Sequence, residues 1–265
     1  MKPNLLRTLC GSTVVLVMVA VAIQAQDFTR SYPMGAGASV SVRTVSGNVK
    51  VTGYAGEAIV VVGHKEGRDR EMVQIQDRST ASRVDVSVSY PDNCNCDASV
   101  NFEVQVPKSI RYQFDSFGSV SGDVQVANVA GDLRARSVSG NVTVKDASGK
   151  VDASSTSGNV TVEDTAGSVS AKSTSGEVRV DITRLEGTDR MDFTSVSGDV
   201  KVRLPSNLDA DVEMSVMSGD IKTDFALQIE DRGNGPGRRA RGQVGSGSRQ
   251  LRLSSVSGNV SLLKL

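Results

Sequence analysis

The sequence predicts an all-β chain wound as a single-stranded β-solenoid, on three observations. Seven glycines stand nine residues apart between Phe117 and Asp181: Gly122, Gly131, Gly140, Gly149, Gly158, Gly167 and Gly176. The residues around them repeat, as SVSGDVQVA, NVAGDLRAR, SVSGNVTVK, DASGKVDAS, STSGNVTVE, DTAGSVSAK and STSGEVRVD. Val, Ser, Gly and Thr dominate the composition, aromatics are 4% with no Trp, and no long helical periodicity is visible, which is strand chemistry. A fixed period decides architecture before local propensity does, because each unit buries its apolar face only against its neighbours.

Each nonapeptide is numbered from its Gly as zero. Positions −2, +2 and +4 are mostly apolar: Val120, Val124, Val126; Val138, Val142, Val144; Val129, Leu133, Ala135. That alternation turns one face of a strand inward, and the Gly shares the inward parity. Nine is odd, so the alternation breaks between +5 and the next −3, where Lys145-Asp146 and, more mildly, Ala127-Asn128 mark a corner.

Position +4 alternates Val126, Ala135, Val144, Ala153, Val162, Ala171, Val180, and −3 alternates Ser119, Asn128, Ser137, Asp146, Ser155, Asp164, Ser173. The true unit is therefore a coil of 18 residues made of two nonapeptides. Stacked coils set Val on Val and Ala on Ala. The glycines should form two columns, Gly122, Gly140, Gly158, Gly176 in one and Gly131, Gly149, Gly167 in the other, with members about 4.8 Å apart. An antiparallel sandwich with Ser-Gly hairpins is the competing arrangement. Hairpin turns favour Asn-Gly or Asp-Gly, and here the order is reversed.

The rest of the chain is read around these regular coils at 116–181. Residues 1–25 read as a signal peptide. Lys2 and Arg7 precede the apolar run Val14 to Ile23, and the cut falls after Ala25. The run is shorter than the ~20 residues of a spanning helix; an uncleaved anchor is the alternative. Cys10 precedes the run and is misplaced for lipid attachment. No later segment is apolar enough to span, so the expected product is exported, to the periplasm, the cell surface or the medium. Without residues 1–25 the chain has 28 basic against 30 acidic residues, a net of −2. A nucleic-acid partner is not expected, because such proteins show a basic excess.

Residues 26–115 read as irregular N-terminal coils. Gly47 and Gly56 are again nine apart, within TVSGNVKV and its sequel. His64 to Arg83 is a polar span read as a solvated loop, and RVDVSVSY and SVNFEVQVP alternate as strands. A separate small sandwich is the alternative here. Residues 182–265 read as wider coils carrying Gly198, Gly219 and Gly258, with a Gly/Arg-rich loop at 230–248 too polar to pack. Val260 to Leu265 is a closing strand, and the expectation is that nothing caps the last coil.

No catalytic constellation emerges. A β-roll calcium ladder needs carboxylates at every turn, and the +1 series Asp123, Asp132, Asn141, Lys150, Asn159, Ser168, Glu177 is broken by Lys150 and Ser168. His64 is the sole histidine, so any triad would have to use it; a surface role is expected, and no metal or cofactor is expected. Carboxylates are plentiful but scattered outward. Cys94 and Cys96 are one residue apart in DNCNCDAS. They can form a strained disulfide in an oxidising compartment, and intermolecular pairing or a reduced pair stays open. The weak binding candidates are the outward ladder Thr143, Thr161, Arg179 and the cations Arg238, Arg239, Arg241.

The recurring S-x-S-G-[NDE]-[VI]-x-V, at Gly47, Gly122, Gly140, Gly158, Gly176, Gly198 and Gly258, resembles the bacterial putative adhesin family of β-strand-repeat proteins, a domain of unknown function. VQVPKSIRYQF and VRLPSNLDADVEM also look like that family. The resemblance covers most of the chain after residue 25. It implies an exported, right-handed bacterial β-helix and supplies no catalytic residues. The reading is a non-enzymatic, adhesin-like binding or scaffold protein of the cell envelope. Its partner is an envelope glycan or protein, and end-to-end self-association is a further option. The alternatives are a polysaccharide-active β-helix enzyme, or an envelope-stress or assembly protein acting through protein partners.

Overall fold

The computed structural model describes residues 27–231 and 237–265. The signal-peptide reading of residues 1–25 lies outside them. The described strands, in chain order, begin with β1 (Phe28–Tyr32), β2 (Ser39–Ser46), β3 (Val49–Tyr54), β4 (Ile59–Glu66), β5 (Gln74–Asp77), β6 (Arg83–Ser89), β7 (Ser99–Pro107) and β8 (Tyr112–Ser121). The regular coils give β9 (Val124–Ser137), β10 (Val142–Ser148), β11 (Val151–Ser155), β12 (Val160–Ala166), β13 (Val169–Ser173) and β14 (Val178–Arg184). There follow β15 (Met191–Ser197), β16 (Val200–Leu204), β17 (Ala210–Ser218), β18 (Ile221–Thr223), β19 (Gln228–Asp231), β20 (Arg238–Val244), β21 (Gln250–Ser257) and β22 (Val260–Lys264). The polar span from His64 is thus less open than expected: it completes β4, makes a 3-10 turn at Arg70–Met72 and forms β5.

The fold is all-β and solenoid-like, and two stacks of strands face one another. The first half of β9, then β10, β12, β14 and β16 pair side by side in one, here sheet A. The second half of β9, then β11, β13 and β15 do so in the other, sheet B. All these pairings are parallel, which the hairpin sandwich cannot supply. Val142 stands between Val124 and Val160, and Ala153 between Ala135 and Ala171. Equivalent side chains therefore stack on themselves and bury one continuous core of Val, Ala and Leu.

Both glycine columns are present. A Cβ on Gly140 would strike the Gly122 carbonyl oxygen, and one on Gly158 that of Gly140. In the second column Gly149 lies against Gly131 and Gly167 against Gly149, with φ of 120° and 130°. Only a residue without Cβ fits so close an approach at such a φ.

The two nonapeptides turn their corners differently, and this corrects the inward reading of position −2. In one class −3 is Asn128, Asp146 or Asp164, with φ of 58°, 49° and 54°. This is the left-handed region that Asn and Asp tolerate best. The chain turns there and the following −2 residue, Val129, Ala147 or Thr165, is buried. In the other class −3 is serine, and it stays inward. Ser137, Ser155 and Ser173 are buried, and each Oγ donates to a glycine carbonyl one layer back: Gly122 at 2.8 Å, Gly140 at 2.7 Å and Gly158 at 2.8 Å. A buried hydroxyl without a partner is costly; here the stack supplies the partner. The corner is thereby delayed, and Val120 and Val138 at −2 swing out, 47% and 46% exposed. Replacing Ser155 by Ala leaves the Gly140 carbonyl without that donor, and the expected cost is about 1–3 kcal/mol in a urea melt. An unchanged midpoint would show that the serine column is decorative.

Both ends differ from the expectation of a bare final coil. A layer is one sheet B strand followed by one sheet A strand. β21–β22 is not outermost: β22 lies between β16 and β18, and β21 between β15 and β17. The earlier layer β17–β18 covers it. The expected loop at 230–248 instead supplies β20, antiparallel to β17 and followed outward by β19. At the other end β2–β3 is likewise inside, between β6–β7 and β8–β9. β4 and then β1 close sheet A there, and β5 closes sheet B, all antiparallel. The outermost strands β1, β5, β18 and β19 are only three to five residues long. Short edges resist edge-to-edge pairing, and among the described residues these ends offer no full-length strand for end-to-end stacking.

Candidate functional site

The delayed corner builds a surface feature along the molecule. Just outside the buried serine column lies a row of eight residues in continuous register: Arg43, Gly118, Arg136, Ser154, Lys172, Thr194, Ser254 and Ser215. On its other side runs the outward-swung −2 row: Val45, Val120, Val138, Thr156, Thr174, Val196, Val256 and Met217. All eight are exposed. Between the first four rungs the two rows wall a groove of about 350 Å³, lined by Arg43, Gly118, Arg136 and Ser154 on one side and Val120, Val138 and Thr156 on the other. Gly118 presents no side chain, which opens a notch between the two arginines.

The charges around the groove are unbalanced. Asp85 is shared by Arg43 at 3.1 Å and Arg83 at 3.9 Å. Asp152 is shared by Arg134 and Arg136, both at 3.4 Å. Each carboxylate thus meets two guanidinium groups, leaving one positive charge over, and the guanidinium-bearing side chains of Arg43 and Arg136 remain half exposed.

The expected binding residues fall elsewhere. Thr143, Thr161 and Arg179 do form a ladder, on the outer face of sheet A. Beside it Lys145 pairs with Glu163 at 2.8 Å, and buried Asp181 is shared by Arg203, whose Nε donates at 2.6 Å, and by Arg179 at 3.9 Å. Arg238, Arg239 and Arg241 are on β20. Arg238 pairs with Asp220, while Arg239 and Arg241 meet on Glu213 at 3.7 and 2.8 Å. The hydrogen bond from Arg241 holds the Glu213 carboxyl below its usual range, against the opposing effect of burial. Arg241 and Glu213 also line a cleft of about 300 Å³ with Arg190 and Arg252. Acids and arginines alternate across adjacent strands there, in the order Asp192, Arg252, Glu213, Arg241.

The remaining candidates are structural in their surroundings. The +1 residues hand hydrogen bonds along the stack: Asn141 N–H to Asp123 Oδ1 at 2.8 Å, Asn159 N–H to Asn141 Oδ1 at 3.0 Å, Glu177 N–H to Asn159 Oδ1 at 2.9 Å. Oxygens a calcium ion would require are engaged by backbone donors. His64 stands across from Asn101 at the end of sheet A, beside Lys50, Glu66 and Glu103. Cys94 and Cys96 are paired with one another, Cα atoms 5.1 Å apart, in the exposed turn between β6 and β7.

The groove was missed by sequence reasoning because Val120 and Val138 were assigned inward. The signal was there: Ser and Asx alternate at −3, and only the serine can be buried against a carbonyl, which forces the next residue out.

Three solved structures resemble this fold. One is a putative cell adhesion protein from Clostridium sporogenes ATCC 15579, 10% identical, covering 90% of this chain and 99% of its own, with a TM-score of 0.32. A putative adhesin from Bacteroides fragilis NCTC 9343 is 12% identical, covering 90% and 96%, with a TM-score of 0.43. A putative adhesin from Parabacteroides distasonis ATCC 8503 is 11% identical, covering 90% and 96%, with a TM-score of 0.38. No curated protein matches the chain. The profile of the Toastrack DUF4097 family matches residues 13–263, and the chain belongs to that family.

Proposed function

We propose that this protein is a non-enzymatic binding scaffold of the bacterial cell envelope, exported by residues 1–25, with adhesin-like use of the groove beside the serine corners. Its coils of 18 residues wind right-handed, as parallel crossover connections almost always do. The observation that carries the reading is the double row itself. An exposed row of eight rungs, six of them apolar and two threonine, with surplus cations beside its first part, costs solubility and contributes nothing to the core. It is explained by something that lies along it. Arg239 and Arg241 on β20, and Arg179 and Arg203 on sheet A, share acids in the same way; what sets the groove apart is the exposed wall of Val120 and Val138 beside its cations. No helix among the described residues is long and apolar enough to cross a membrane.

The test compares two exposed substitutions on opposite faces. Val138→Asp places a charge on the groove wall; Thr143→Asp places one on sheet A. Cosedimentation of the full chain with isolated bacterial envelopes should weaken about tenfold for Val138→Asp, a change of about 1.4 kcal/mol, and stay at wild-type level for Thr143→Asp. Equal retention of the two variants rules the groove out as the binding surface.

A further inference from the structure

We infer that the groove takes a linear acidic polysaccharide carrying one carboxylate on every second sugar. This rests on the groove being the binding surface and names its ligand class.

The cations along the groove and the rung that continues it are periodic. Along the row in register, Arg43, Arg136 and Lys172 occupy the first, third and fifth rungs. The rungs between them are Gly118 and Ser154, both small. Parallel strands lie about 4.8 Å apart, so successive cations are about 10 Å apart. An extended β-linked pyranose chain advances about one strand spacing per ring, so alternate sugars meet alternate rungs. The uronate of each disaccharide faces a cation, and the neutral sugar between sits over Gly118, which has no side chain, or Ser154, which offers only a hydroxymethyl group.

The opposite wall suits the same ligand. Val120 and Val138 present apolar surface to the C–H faces of the rings, and Thr156 adds a hydroxyl. Each of the two arginines shares its aspartate with another arginine, so an incoming carboxylate meets net positive charge. Planar guanidinium groups match carboxylates in two-point geometry. Lys172 has no acid within ion-pair distance among the described residues. Beyond it the next three rungs are neutral, Thr194, Ser254 and Ser215, before Arg239 on β20.

An acidic peptide fits less well. Its same-face residues repeat at about 6.7 Å, out of step with the cations. The groove is also not an open sheet edge on which a peptide strand could add.

The neutral stretch beyond Lys172 sets the site length at three charged sugars. The probe is hyaluronate, which alternates glucuronate with N-acetylglucosamine, as di-, tetra-, hexa- and octasaccharides titrated calorimetrically into the full chain at low salt. Affinity should climb to the hexasaccharide, whose three carboxylates meet three cations, and level off at the octasaccharide. Neutral chitohexaose and polyglutamate should bind at least about tenfold more weakly. The variant Arg43→Gln/Arg136→Gln/Lys172→Gln should lose hexasaccharide affinity by a similar factor, while Lys50→Gln/Lys201→Gln on sheet A should not. The length series needs no variant, so it decides the question even if the triple variant is destabilised. Absence of saturable hyaluronate binding, equal binding of chitohexaose or polyglutamate, or affinity still rising past the hexasaccharide overturns the inference. In those cases the Val138→Asp result on envelopes still stands or falls by itself, which separates a wrong ligand class from a wrong groove.

Discussion

Val142→Asp is expected to destabilise the protein far more than Thr143→Asp. Val142 is 0% exposed, in register with Val124 on one side and Val160 on the other. An aspartate there must bury an unpaired carboxylate or stay protonated through a strongly raised pKa. No polar group lies in that Val column to receive it. The expected cost is about 4 kcal/mol or more, at the extreme end of single substitutions, whereas a change at a half-exposed site such as Thr143 usually stays within about ±0.5 kcal/mol. Stability in a stack is a sum of layer and neighbour terms. Hydrogen exchange should therefore rise first in β9, β10 and β12, before the ends open. Equal melting temperatures for the two variants would mean that the +2 position does not face the core.

That contrast lives on the part of the fold the repeat made legible. Inward Val142, Val144 and Ala153 and the two glycine columns follow from period nine and its doubling, because translation along the stack repeats each environment. The corners were less legible. Ser137 and Asp146 are both polar at −3, yet one is buried and the other turns the chain through a left-handed φ. A hydroxyl is small enough to enter the core if a carbonyl receives it, and that carbonyl belongs to another layer. The candidate site was legible only in its pieces. Arg43 lies in the first layer of the chain and Lys172 in the sixth, and nothing local states that they share one row. Charge runs misled in the opposite direction: the cluster Arg238, Arg239, Arg241 looked available and is engaged by Asp220 and Glu213.

The exchange of layers at the C-terminal end was written in the corner residue. The motif at Gly258 carries Ser255 at −3, and Ser255 Oγ donates to Gly198 O at 2.8 Å. The motif at Gly219 carries Val216 there, which cannot donate. The layer able to continue the serine column sits against Gly198, and the layer that cannot is displaced outward. Removing Gln250–Leu265 should then do more than shorten the protein by one layer. β15 and β16 lose their outer neighbours, and β17 and β18, with β20 carried on β17, lose the strands that tie them to the rest. β17 cannot simply move in, because Val216 would leave the Gly198 carbonyl without its donor, a further penalty of about 1–3 kcal/mol. The expected result is loss of amide protection in β17, β18 and β20 with protection retained from β8 to β14. Full protection of β17 and β20 in the truncated chain would show that the outer layer docks on its own, and that the serine column does not set the order of the layers.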